Sequence, residues 1–249
     1  MKIIKYKKTS NNIYTIYLDN KESIKLYDDT IIKYNLLVIK EIDNLEEVLK
    51  YNKKLEAYYI ALNYINKKMR TTKEVRKKLE DYPSEAINMA IERLTKEGYL
   101  NDKEYLRVFI KDQVNITSYG KLKIENKAMI LGFSKEDIKN VLDSYDKSIF
   151  NSKLEKLIEK KIKNNSKYSV NKLKEKILID LNGQGYDKGD ILNILSSYEI
   201  KEPANILDKE YEKAYRVLSK KYEGYELKNK IIQKLVSKGF SYDIVKNRV

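Results

Sequence analysis

The stretch Ile124-Glu125-Asn126-Lys127-Ala128-Met129-Ile130-Leu131-Gly132-Phe133-Ser134-Lys135-Glu136-Asp137-Ile138 contains a helical run, a glycine followed by an aromatic ring, and the start of a second helix. Ile124 and Ala128 lie eight and four residues before the glycine, and Ile138 lies five after the ring. The arrangement returns as Ile177/Leu181, Gly185-Tyr186 and Ile191, and again as Ile231/Leu235, Gly239-Phe240 and Val245. Earlier in the chain Val75/Leu79, Asp81-Tyr82 and Ile87 stand in the same places, and the successive aromatics are 51, 53 and 54 residues apart. Each glycine falls just past a helix end, where a positive φ is needed. Ser134, with Asp137 three residues on, reads as the cap of the next helix. The recurrence predicts four tandem three-helix units. Their period exceeds the ~34-residue tetratricopeptide and ~33-residue ankyrin repeats. A helix of about 14 residues is only roughly 21 Å long, so such units must stack, and an elongated, curved helical body is expected.

Composition agrees with a helical fold and removes much chemistry. The 249 residues include only 8 Gly and 2 Pro, where average usage gives about thirty of the two together. That shortage disfavours a turn-rich β fold. There is no Cys and no His, so disulfides, Cys/His zinc sites, thiol nucleophiles and histidine acid–base catalysis are excluded. No apolar run approaches the roughly 18 residues of a membrane span. The lysine-broken start Met1-Lys2-Ile3-Ile4-Lys5 lacks a signal-peptide core. A cytoplasmic protein is expected. Lys and Arg number 51 against 37 Asp and Glu, a net charge of +14. The excess sits in residues 53–100 and 147–249, while 101–146 carry eight of each sign. Blocks of this kind suit an acidic partner, and equally suit solvated helix faces.

The first fifty residues read differently. Ile13-Tyr14-Thr15-Ile16-Tyr17-Leu18 is β-branched and aromatic, Ile24-Lys25-Leu26 alternates, and Asp19-Asn20-Lys21 between them is a turn signal. Lys2 to Lys8 makes a third strand. Asp28-Asp29-Thr30 is read as the cap of a short helix through about Leu36. A hairpin alone is marginal in water, so this module is expected to pack on the helices C-terminal to it. From Asp43 the pattern is helical. Tyr58, Ala61, Leu62 and Ile65 form one apolar stripe. Thr71 and Glu74 form a capping box, and Pro83-Ser84 opens a helix that Gly98 ends. The expected division is a β-rich module in 1–42, a first helical repeat with its lead-in helix in 43–100, and further repeats in 101–147, 148–200 and 201–249.

Motifs in the first unit carry a family resemblance. Ala61-Leu62-Asn63-Tyr64-Ile65 is followed by Lys67-Lys68-Met69-Arg70-Thr71-Thr72, by Glu74-Val75-Arg76-Lys77-Lys78-Leu79, and by Gly98-Tyr99-Leu100-Asn101-Asp102. Gly120-Lys121-Leu122-Lys123-Ile124 and Leu131-Gly132-Phe133 continue it in the second unit. These segments resemble the RecX family, bacterial regulators of the RecA recombinase. The β-rich leader followed by several helical triplets resembles the longer members from Gram-positive bacteria. Arg70-Thr71-Thr72 stands where the family often has Arg-Ser, which preserves the caps. The resemblance implies a non-enzymatic protein without cofactor or catalytic residues. Such a protein binds RecA and its filament on single-stranded DNA, lies in the filament groove, and modulates recombinase and co-protease activity, mostly downward. A monomer is expected.

Candidate contacts are basic. Lys67, Lys68, Arg70, Lys73, Arg76 and Lys77 form the densest positive run, with Lys73, Arg76 and Lys77 on one helical face. Lys123 and Lys127 are i, i+4 neighbours in the second unit, and Lys230 and Lys234 repeat that spacing in the fourth. They would meet phosphates or an acidic filament surface, or simply face solvent. Asn101-Asp102 is read as a helix cap and a carboxylate at the positive helix end, with no metal site. Neither Gly-rich phosphate motif occurs. Tyr99, Tyr119, Phe133 and Tyr186, at helix junctions, are read as packing residues rather than base-stacking platforms. A general nucleic-acid-binding repeat protein is the alternative function, and an enzyme built on Lys and carboxylates alone lacks a coherent site.

Overall fold

Ile3, Ile16, Leu18 and Leu26 are buried on one side of an N-terminal antiparallel sheet. Its strands are β1 (Ile3–Ser10), β2 (Ile13–Leu18) and β3 (Ser23–Tyr27), in that order. The computed structural model describes residues 1–201 and 205–249. Lys40 to Ile42 return beside β1, where the Ile3 N–H donates to the Lys40 carbonyl at 2.9 Å. After the sheet come α1 (Asp28–Lys33), α2 (Leu36–Ile39), α3 (Leu45–Ile65), α4 (Thr72–Lys78), α5 (Ser84–Lys96), α6 (Asp102–Ile116) and α7 (Lys121–Leu131). The remaining helices are α8 (Lys135–Leu142), α9 (Lys147–Lys163), α10 (Val170–Gly183), α11 (Lys188–Ser196), α12 (Ile206–Leu218), α13 (Gly224–Ser237) and α14 (Tyr242–Arg248). The fold is mainly helical with a small N-terminal sheet. Two compact units divide it, Met1–Val108 and Phe109–Val249. Part of the expected fourth repeat, residues 202–204, lies outside the described residues.

In the first unit the expected helix through Leu36 is two helices. Asn35, at φ 50°, interrupts them. Nor do Asp28-Asp29-Thr30 act as the cap. Tyr27 holds the cap position with no side-chain bond, and Asp28 begins the helix. Thr30 is fully buried, and its hydroxyl donates to Asn52 Oδ1 at 2.9 Å. The same oxygen accepts the Tyr27 N–H at 2.8 Å. A buried hydroxyl needs such a partner, and Asn52 on α3 thereby fastens the sheet module to the long helix. Arg93 adds a second fastening. It pairs with Asp29 at 2.8 Å and with Glu97 at 2.9 Å, above the Tyr58 ring.

The repeat positions are buried as the pattern requires. Val75/Leu79, Ile124/Ala128, Ile177/Leu181 and Ile231/Leu235 are all inaccessible, as are Ile138, Ile191 and Val245, and only Ile87 is half-buried. Gly132, Gly185 and Gly239 have φ of 103°, 88° and 89°. Each is followed by an aromatic residue whose N–H reaches back to the carbonyl of Ala128, Leu181 or Leu235. Gly98 ends α5 in the same way. Tyr99 departs from the packing expectation. It is 53% exposed, and the next residue, Leu100, takes the interior place instead.

Within the second unit these turns also join one triplet to the next. The Gly120 N–H, at the start of α7, donates to the Gln184 carbonyl at 2.8 Å, and the Leu122 N–H donates to Gly185 at 3.1 Å. Tyr186 is buried, which pushes its phenol up to about 12, and its hydroxyl donates to the Ser118 carbonyl at 3.2 Å. One triplet later the Ser169 hydroxyl, at the start of α10, donates to the Lys238 carbonyl at 2.8 Å, beside buried Phe240. The glycine-aromatic turn of each later triplet therefore seats on the second-helix start of the one before. Nearest-neighbour contacts of this kind are what stabilise repeat proteins.

Candidate functional site

The basic segment of the first unit surrounds the start of α4. Thr71 accepts the Glu74 N–H at 3.1 Å and Glu74 accepts the Thr71 N–H at 2.9 Å, completing the capping box. Asp102, the first residue of α6, accepts the Thr72 N–H at 2.8 Å, and Asn101 caps α6 by accepting the Glu104 N–H. The carboxylate at the positive helix end therefore holds α4 as well as α6. Val75 and Leu79 anchor α4 below, which leaves Lys73, Arg76, Lys77 and Lys78 on its exposed side. Arg76 reaches Asn88 at 2.9 Å. Lys67 and Lys68 are exposed in the turn before it.

Arg70 does not join that exposed set. Its side chain is only 15% exposed. The guanidinium lies 3.9 Å from the Tyr64 ring centroid and pairs with Glu74 at 3.0 Å. Burial pushes the Glu74 carboxyl up, but the Thr71 N–H and the Arg70 guanidinium outweigh it and hold the group below its ordinary value. Arg70 is a packing residue that braces the capping box. Replacing it by alanine should cost about 1–2 kcal/mol, from a partly desolvated cation–π contact and a half-buried ion pair. Because the folded Glu74 pKa is depressed, the stability it contributes is present above its ordinary value of 4.5 and is lost as pH falls through the folded value. Urea unfolding from pH 7 to pH 3 should show Arg70→Ala losing less stability on acidification than the parent. Equal losses would remove the brace.

Lys123 and Lys127 on α7 are half-buried rather than projecting together. Lys123 donates to the Gly183 carbonyl at 3.3 Å, close to the docked turn, and Lys127 lies 5.0 Å from the Tyr119 ring. Lys230 stands over Tyr222 at 5.7 Å, and Lys234 is half-buried. The structure adds a member to this series, because Lys176 lies 4.7 Å from Tyr168. In all three pairs the tyrosine sits two residues before the second helix of its triplet and the lysine eight residues after the tyrosine. Sequence reading misses Lys176 and Tyr168. The Tyr-x7-Lys spacing at a fixed distance from the helix start is the available signal, hidden by the abundance of lysine.

Tandem three-helix units, joined turn to helix start within Phe109–Val249, together with a small N-terminal sheet define a helical-repeat fold. Relatives of known name make the class specific. Residues 57–94 match the RecX family model described as its first three-helix domain, and 202–247 match its third. The chain is 32% identical to the regulatory protein RecX of Streptococcus agalactiae, over 99% of this chain and 98% of that one. It is 34% identical to its counterpart in Lactococcus lactis subsp. lactis, over 90% and 87% of the two chains. The chain belongs to the RecX family. A crystal structure of regulatory protein RecX, 21% identical, superposes with a TM-score of 0.69 over 79% of this chain and all of that one. That of RecX from Lactobacillus salivarius, 26% identical, gives 0.55 over 59% and 96%. The third-domain model falls on the fourth triplet in chain order, α12–α14. Among the described residues no helix is long and apolar enough to cross a membrane.

Proposed function

We propose that this chain is a non-enzymatic, cofactor-free regulator that binds RecA or its filament on single-stranded DNA and lowers recombinase and co-protease activity. The observation that carries the reading is the near end-to-end relationship to proteins named regulatory protein RecX. A net charge of +14 and solvent-facing Lys67, Lys68, Lys73, Arg76 and Lys77 support it. So does the set Lys123, Lys127, Lys230 and Lys234, carried on the second helices of the second and fourth triplets. These basic residues meet the acidic protein surface and phosphates of the filament, while Arg70 keeps the segment in shape. The protein works as a cytoplasmic monomer, and its working units are the module 1–42 and the repeats 43–100, 101–147, 148–200 and 201–249.

A second reading, a general nucleic-acid-binding repeat protein, draws on the recurring tyrosine–lysine pairs, because aromatic rings beside cations suit single strands. Partner dependence separates the two. The full chain should bind RecA-coated single strands at least tenfold more tightly than the same strands bare, at equal salt. Equal affinities would favour the second reading.

A further inference from the structure

A cleft of about 640 Å³ opens between the C-terminal half of α9 and α10, in the third triplet. Its size falls within the range of small-molecule sites, about 300–1,000 Å³. The floor is apolar, formed by Leu157, Leu173 and Ile177. The rim is cationic, with Lys160, Lys161, Lys167 and Lys176 against a single carboxylate, Asp180. Asp180 is engaged by Lys161 at 2.8 Å, so Lys160, Lys167 and Lys176 line the cleft with no further acidic side chain to offset them. Tyr168 completes the wall at 38% exposure. Its loop is held by Asn165, which accepts the Tyr168 N–H at 3.0 Å and donates to the Tyr168 carbonyl at 2.8 Å. The ring is thus presented by a fixed loop.

The neighbouring triplets show what is particular here. The pairs Tyr119–Lys127 and Tyr222–Lys230 match Tyr168–Lys176 in spacing and geometry. A tyrosine–lysine pair alone is therefore a general feature of these triplets. Around Tyr168 the pair is joined to further lysines and an apolar floor. Together these fit a ligand with a flat aromatic part and a phosphate.

We propose that this cleft binds a nucleotide, with the base stacked on Tyr168 over the Leu173–Ile177 floor and the phosphate held by Lys160, Lys167 and Lys176. On entry the base takes the ring face that Lys176 covers, and Lys176 turns its charge to the phosphate. The nucleotide is either free or one residue of a single strand.

The test uses the full chain without any recombinase, so its outcome is independent of the proposed filament function. Isothermal titration at low salt would compare ADP, tripolyphosphate and a short deoxyadenosine oligonucleotide on the parent, Tyr168→Ala, Tyr168→Phe and Lys160→Glu/Lys176→Glu proteins. Circular dichroism melts would first confirm that each variant is folded. Tyr168→Ala and the double charge reversal should each weaken binding of the nucleotide ligand about tenfold or more, since stacking on one base is worth that much. Tyr168→Phe should restore parental affinity. Response to ADP identifies a free nucleotide as the ligand, and response to the oligonucleotide alone identifies a strand. Three results would overturn the proposal: tripolyphosphate binding as well as both nucleotide ligands, affinity indifferent to Tyr168→Ala, or no binding of either nucleotide ligand.

Discussion

Alanine in place of Gly185 should destabilise the Phe109–Val249 unit by on the order of 3 kcal/mol, the largest loss expected from any single methyl group in the protein. Two costs add. At φ 88° an L side chain meets the strain of the left-handed region, about 1–2 kcal/mol. The new Cβ would also sit 2.5 Å from Lys123 Cβ and 2.8 Å from its Cα. That is a backbone obstruction that no rotamer relieves, and overpacking of this kind costs roughly 1–3 kcal/mol. Two other glycines separate the two costs. Gly98 has φ 80° but open space around its Cβ position, so Gly98→Ala should show the backbone strain alone. Gly120 is not in the left-handed region, but its Cβ would lie 2.5 Å from the Gly185 carbonyl carbon and 2.6 Å from the Tyr186 nitrogen, so Gly120→Ala should show the obstruction alone. Urea midpoints should rank Gly185→Ala as the most damaging, with a loss near the sum of the other two. A Gly185→Ala protein no less stable than Gly98→Ala would mean that the turn does not dock on α7. Gly239→Val should lose at least about 1 kcal/mol for the same pair of reasons, at φ 89° and against the Ser169 hydroxyl.

Reversing the charge of Lys73, Arg76 and Lys77 together should weaken filament binding by about a hundredfold at low salt while the fold persists. These side chains lie on the exposed side of α4, away from Val75 and Leu79, so each substitution should move stability by only about 0.5 kcal/mol. If they meet phosphates, the salt dependence of binding should also flatten, by about one unit of slope for each phosphate no longer neutralised. Arg70 is left out of the set because its loss would confuse folding with binding. Unchanged filament affinity in the triple variant, with circular dichroism intact, would dissociate this face from function.

Much of the architecture is legible because it depends on periodic burial. The apolar pairs eight and four residues before each glycine, and the aliphatic residue five after each ring, are core positions that any stable packing of these helices must fill. The positive φ at Gly132, Gly185 and Gly239 is equally legible, since a helix ending at such a residue favours glycine. What glycine does at 185 beyond its φ is not legible. The close approach of Lys123 belongs to the preceding triplet, and a sequence does not state which backbone comes near which. Thr30 misleads for a related reason: it looks like a cap beside two aspartates, yet its hydroxyl donates to Asn52, 22 residues further along on α3. The site is less legible than the fold. Charge patterning points to lysines of α4 that are exposed. It overcounts Arg70, whose tyrosine and glutamate partners take it out of solvent. It also passes over Lys176 and Tyr168, because one more lysine in a lysine-rich chain carries no signal until the cleft around it is seen.

One titration bears most directly on the proposed role in regulating the recombinase. RecA would be assembled on single-stranded DNA with ATP, and hydrolysis followed as the full chain is added at physiological salt. Hydrolysis is predicted to fall steadily, and to do so at concentrations too low for the chain to occupy the same DNA without RecA. Hydrolysis that stays constant, or that falls only in step with occupancy of the bare strand, would contradict the assignment of this protein as a regulator of the recombinase filament.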